Sequence, residues 1–159
     1  MFQFRRIGRA TATVARLTKR VWENKKLTTK TKIAVYSACV LSTLLNGSET
    51  LTLYAWQEKM LNTFDLRTLR RILGVRWSDR ITNNEILERA DIPSMCTLLR
   101  KHRLRWLGHV RRMDDGRIPK DLRCGELAIG KRTQSRPQLH YKDICKKYMR
   151  AIDIDIEKW

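Results

Sequence analysis

Acidic residues are scarce in this 159-residue chain: 16 Asp and Glu stand against 34 Lys and Arg, a formal charge of +18. So few acids cannot neutralise so many bases internally, which points to an anionic partner, nucleic acid first and an anionic membrane surface second. Glycine (7) and proline (3) are also few, which excludes collagen-like and low-complexity chains and argues against a turn-rich sandwich. The four cysteines (Cys39, Cys96, Cys124 and Cys145) form no C-x-x-C pair, so neither a zinc ribbon nor a dithiol redox motif is present. Their scatter suits a reducing compartment, and Cys39, inside an apolar run, reads as buried packing. That run, Ile33 to Ser48, is the longest without charge. It falls short of the roughly 20 mostly apolar residues a membrane span needs, so it reads as a core helix.

Strand-like alternation is absent as well, and what replaces it is helical periodicity. With 42% apolar residues the chain can build a core, as one domain or two small ones. In the first block Ile7, Ala10, Val14, Leu17 and Val21 recur at three- and four-residue steps, while Arg5, Arg9, Arg16, Lys19 and Arg20 fall on the opposite face. No acid lies within residues 1–22, so no i,i+4 pair can form inside that cationic face. A second helix is expected from Thr28 or Thr29 to the Asn46-Gly47 stop, a third from about Tyr54 to Leu73 before Gly74, and a short fourth behind the capping-box sequence Thr82-Asn83-Asn84-Glu85. Ser94 then caps a longer helix on which Met95, Leu98, Leu99, His102, Trp106, His109, Val110 and Met113 share a face, with Arg100, Lys101, Arg111 and Arg112 opposite. A basic loop over 125–137 carries Lys131, Arg132 and Arg136, and a last helix follows with Leu139, Cys145, Tyr148, Met149 and Ile152 inward. The expected fold is therefore all-α: a helical bundle over residues 1–75, then a helical extension over 76–159.

The bases come in blocks. Residues 1–32 carry ten bases and one acid, 98–123 nine and three, and 131–150 seven and one, separated by near-neutral stretches that supply the core. Evenly mixed signs would be the mark of a merely solubilised surface.

Catalytic signatures are missing. His102 and His109 are seven apart with no intervening H-E-x-x-H, so they read as interface residues beside Trp106 and not as metal ligands. Met113-Asp114-Asp115 evokes the metal-binding aspartates of reverse transcriptases, but it follows an amphipathic helix and precedes Gly116, so it reads as a helix-terminus turn. No nucleophile triad, G-x-G-x-x-G or Walker loop occurs. No catalytic residue, cofactor, metal or small-molecule substrate is expected.

Taken in order, several blocks resemble the C-terminal part of non-LTR retrotransposon (LINE-type) reverse transcriptases. They are Arg6-Ile7-Gly8-Arg9-Ala10, Lys19-Arg20-Val21-Trp22, Leu27 to Tyr36, Gly47-Ser48-Glu49-Thr50, Leu69 to Gly74 and Asp79 to Asn83. The densest is Leu104-Arg105-Trp106-Leu107-Gly108-His109-Val110-Arg111-Arg112-Met113, followed by Gly130-Lys131-Arg132, Arg136-Pro137 and Tyr141-Lys142-Asp143. The chain departs from the family pattern at Asn46, Leu51 and Ser135, where the family usually has Tyr, Trp and Gly, as expected under relaxed selection. The resemblance implies the helical thumb that grips the template–primer duplex, followed by a helical extension. It places the catalytic palm upstream of the matched region, and it implies a nuclear, not a secreted, protein. It also makes the Arg-rich, acid-poor start an internal helix and not a mitochondrial presequence.

Three functions follow as expectations. The first is a non-catalytic module that binds an RNA or DNA duplex by neutralising phosphates, through Arg5, Arg9, Arg16, Lys19, Arg20, Arg100, Lys101, Arg111, Arg112, Lys131, Arg132 and Arg136, with little base specificity. The second is an enzyme that polymerises or cuts nucleic acid, disfavoured by the missing carboxylate set. The third is a basic helical module that docks on a protein or an anionic lipid surface, or a decayed fragment without function.

Overall fold

The computed structural model describes residues 2–124 and 141–150, and every regular element among them is helical. The protein is all-α. The helices are α1 (Phe2–Leu17), α2 (Thr29–Val35), α3 (Ser42–Leu45), α4 (Ala55–Leu73), α5 (Asn83–Ala90), α6 (Met95–Arg111), α7 (Ile118–Cys124) and α8 (Tyr141–Arg150). π-helical turns extend α1 (Thr18–Trp22) and join α2 to α3 (Tyr36–Leu41). The short α7 was not anticipated from the sequence.

The described residues divide into two compact units, one of residues 2–46 with Leu53–Leu99, the other of Gly47–Thr52 with those from Arg100 onward. The first unit therefore continues past the expected boundary at residue 75. Ile86, Ala90, Ile92, Met95 and Leu99 belong to the same buried cluster as Ala10, Tyr36, Leu44, Leu61 and Leu69.

In the first unit, sequence and structure agree closely at the helix ends. Ala10 and Val14 are buried and Ile7, Leu17 and Val21 pack beside them, so the apolar stripe of α1 faces the core. Thr28 caps α2 by accepting from the Thr31 N–H at 3.2 Å, satisfying a donor that the first turn leaves unpaired. Thr82 does the same for α5 through the Glu85 N–H at 3.3 Å. The reciprocal half of that capping box is replaced by an i,i+4 ion pair, Arg89 to Glu85 at 2.6 Å. Gly74 ends α4 at φ 68°, and the Val75 N–H reaches the Arg70 carbonyl at 3.0 Å, the Schellman pattern that a left-handed residue permits. Asp91 plays the same part after α5 at φ 50°, with buried Ile92 closing the motif.

The π-helical turns change which side chains point inward. In the first, the Val14 carbonyl accepts from the Thr18 hydroxyl (3.1 Å) and from the Trp22 indole (2.8 Å), which folds buried Trp22 back along the helix. Lys32 then donates to the Trp22 carbonyl at 2.8 Å, a cation at a helix C-terminus. In the second, Tyr36, Val40, Leu41, Leu44 and Leu45 are buried while Cys39 is exposed. Cys39 is thus not packing in the core: the wider turn rotates it outward even though its neighbours are apolar. The Tyr36 hydroxyl donates to Asp65 Oδ1 of α4 at 2.5 Å, both residues being fully buried. Burial raises the Asp65 carboxyl to about 6 against the lowering effect of that hydrogen bond, and burial together with the Asp65 charge pushes the Tyr36 hydroxyl far up.

In the second unit, Leu107 of α6 packs with Cys145 and Met149 of α8, supported by Leu104 and Tyr141. Tyr148 completes the inward face of α8, while Leu139 and Ile152, also expected inward, lie outside the described residues. The Asp114-Asp115-Gly116 segment is a turn, as expected, with Gly116 at φ 84°. Lys120 bridges back over it to the Asp115 carboxylate at 2.5 Å and the Met113 carbonyl at 2.9 Å, which holds the Asp115 carboxyl below its usual range.

Candidate functional site

The basic surface of the first unit lies on the outer side of α1 and its π-helical turn. Arg5, Arg9, Arg16, Lys19 and Arg20 are all exposed there, opposite the stripe that packs into the core. None of the five side chains forms an ion pair with an acid among the described residues. A concavity of ≈ 550 Å³ runs beside three of them, lined by Thr11, Val14, Ala15, Arg16, Thr18, Lys19, Arg20, Glu23 and Arg71. The one acid among its described lining residues, Glu23, approaches Arg71 at 4.0 Å with both side chains more than half exposed, a contact of little energetic weight. Arg71, which comes from α4, was not among the expected residues; nothing in the sequence brings it beside α1. Its neighbour Arg70 serves structure instead, donating to the Ile81 carbonyl (2.8 Å) and Asn83 Oδ1 (3.0 Å).

The second unit presents a different kind of surface. The buried line of α6 runs Leu99, Arg103, Leu107 and Val110, so an arginine occupies a core position. Arg103 Nη1 donates to the Tyr148 hydroxyl at 2.6 Å, and the guanidinium carbons of Arg103 and Arg100 lie 5.5 Å and 5.4 Å from the Tyr148 ring centroid. Two cations on one aromatic ring hold α8 against α6. Arg100 is therefore half-buried and engaged, and is not part of an open cationic face as the wheel suggested.

Lys101, Arg111 and Arg112 are exposed as expected. At 100° per residue, Lys101, Arg105 and Arg112 fall within about 40° of one another, with Arg111 set off from them by roughly 100°. Exposed Arg105 is thus the missed member of this edge, and the same rotation could have found it. Lys101 and Arg112, like the α1 bases, pair with no acid among the described residues. Lys131, Arg132 and Arg136, with the whole loop 125–137, lie outside the described residues.

Beside the Arg105–Arg112 edge is a second concavity, ≈ 460 Å³, lined by Glu49, His102, Arg105, Trp106, His109 and Arg112. Trp106 is half-buried and meets Tyr141 edge to face at 5.5 Å and 87°. Glu49 enters from the Gly47–Thr52 segment, where the preceding Ser48 is fully buried with its hydroxyl unpartnered among the described residues.

No protein family, no curated protein and no solved structure matches this chain. Among the described residues no three His, Cys, Asp or Glu side chains gather as a metal site would require, and no helix is long and apolar enough to cross a membrane.

Proposed function

We propose that the chain is a non-catalytic module that grips nucleic-acid duplex by neutralising its phosphates. One observation carries this: Arg5, Arg9, Arg16, Lys19 and Arg20 line one exposed helix side and pair with no acid among the described residues. Unpaired cations in a row repel one another, and a polyanion removes that repulsion while releasing its own counterions. The concavity beside them has two further functions: it admits a backbone alongside Arg16 and Arg20, and it lets Arg71 reach the same strand from α4. The contacts are to backbone, so base sequence has little influence on this surface. The resemblance to LINE-type RNA-directed DNA polymerases adds the identity of the duplex, a template–primer hybrid held by a thumb, and leaves bond formation to a palm outside the matched region.

One feature favours a second reading. Phe4 and Trp56 are 59% and 52% exposed and face each other with centroids 6.3 Å apart, an aromatic pair of the kind that inserts at a lipid interface. Titration of the chain with a fluorescent 20-base-pair RNA–DNA hybrid, in competition with anionic phospholipid vesicles, separates the two. Nucleic-acid grip predicts micromolar or tighter binding to the hybrid that vesicles fail to displace. Displacement by vesicles, with binding to them lost on changing Trp56 to Ala, would establish membrane docking instead.

A further inference from the structure

The concavity on α6 differs from the α1 concavity in carrying an aromatic ring, Trp106, beside its cations and its acid. His102, Trp106 and His109 stand at four- and three-residue steps, so their rings form one stripe along the helix. Arg105 and Arg112 border one side of that stripe about 10 Å apart along the axis, and Glu49 is the only acid among the described lining residues. A duplex backbone has no use for an indole or a carboxylate, since phosphates are repelled by one and cannot stack on the other. An unpaired nucleotide uses all three groups: its base has a face to stack, its edge has N–H donors, and its phosphates are anionic.

We infer that this concavity takes one unpaired guanine nucleotide of a single strand. The base stacks on Trp106, whose ring Tyr141 steadies edge-on, and the flanking phosphates pair with Arg105 and Arg112. The Glu49 carboxylate accepts from the guanine edge. Guanine alone among the four bases offers two adjacent donors there, N1–H and the N2 amino group, which match the two oxygens of one carboxylate. Ser48, buried beside Glu49 in sequence and with a hydroxyl unpartnered among the described residues, supplies a further polar atom in the segment that bears the carboxylate. This inference rests on the nucleic-acid reading above but assigns to the second unit a single-strand function the first lacks.

The test compares a thymidine 12-mer containing one central guanosine with the all-thymidine 12-mer, a blunt duplex, and guanosine monophosphate alone. Wild type is expected to prefer the guanosine strand about 10-fold over the thymidine strand. Trp106→Ala is expected to weaken single-strand binding about 10-fold while leaving duplex affinity within twofold. Glu49→Gln is expected to abolish the guanosine preference without removing binding, and hypoxanthine in place of guanine, which lacks the N2 amino group, to reduce it. If circular dichroism shows Trp106→Ala misfolded, Trp106→Phe, which keeps a ring, and Glu49→Gln decide the matter. Duplex and single-strand binding with no guanosine preference, or with none of it lost in these variants, overturns this site and leaves the duplex grip standing. Equal affinity for guanosine monophosphate and the strand overturns the strand assignment. No binding to any nucleic acid overturns both proposals together.

Discussion

Changing Arg16, Lys19 and Arg20 together to alanine lowers affinity for an RNA–DNA hybrid about 100-fold at 0.1 M salt and flattens the salt dependence by about three phosphate contacts. The three side chains are exposed, line the concavity beside α1 and form no ion pair among the described residues. Their removal therefore leaves the folded state almost untouched, with at most a few tenths of a kcal/mol lost from Arg16 at the C-terminal end of α1. Each contributes to binding mainly through the counterions its phosphate releases, which makes the three losses multiply. Fluorescence anisotropy on wild type and the triple variant, at matched salt, measures the effect. Affinity within twofold of wild type would assign the α1 face to simple solvation.

Raising the pH from about 4 to about 7 removes about 2 kcal/mol of the first unit's stability through Asp65 alone. Burial lifts this carboxyl to about 6, so the folded state holds the proton more tightly than the unfolded chain does. The stabilisation is complete below the ordinary aspartate range and is lost as the pH rises through about 6. Above that, the charge sits in a fully buried site whose described partner is the Tyr36 hydroxyl, which stays protonated and continues to donate. Asp65→Asn keeps an acceptor for Tyr36 and removes the charge. Its stability is expected to match wild type at pH 4 and to exceed it at pH 7.5, by denaturant melts followed in the far ultraviolet. Asp65→Ala, in contrast, strands the Tyr36 hydroxyl and is destabilising at both pH values. A stability difference between wild type and Asp65→Asn that stays constant from pH 4 to 7.5 would contradict the burial of an ionisable group here.

Much of the fold was legible because its determinants are local. The α1 stripe, the Thr28 and Thr82 caps and the Gly74 stop each depend on residues within one or two helical turns, and all are where the sequence places them. Where the reading failed, the cause was non-local or broke the 3.6-residue period. The π-helical turn at Tyr36–Leu41 shifts the phase, which puts Cys39 outside. Arg103 has no local signature for burial, since arginine is rarely buried; its bond to Tyr148, 45 positions away, helps make that burial tolerable. The Tyr36–Asp65 pair has the same character, an acid inside an apolar helix face explained only by a partner on another helix.

The candidate site divides along the same line. The α1 bases could be found from the helical period alone, since all five stay exposed opposite the apolar stripe. On α6 the wheel mixed two environments: Arg100 turns toward Tyr148, and Arg105 joins the Lys101–Arg112 edge. Arg71 and Glu49 reach their concavities through tertiary folding and have no local signature at all.

The most direct measurement is the hybrid's association constant across a series from 0.05 to 0.5 M potassium chloride. With about six phosphates neutralised, log K falls against log salt with a slope near −5. A slope indistinguishable from zero, at any affinity, would mean that these exposed bases do not hold a nucleic-acid backbone.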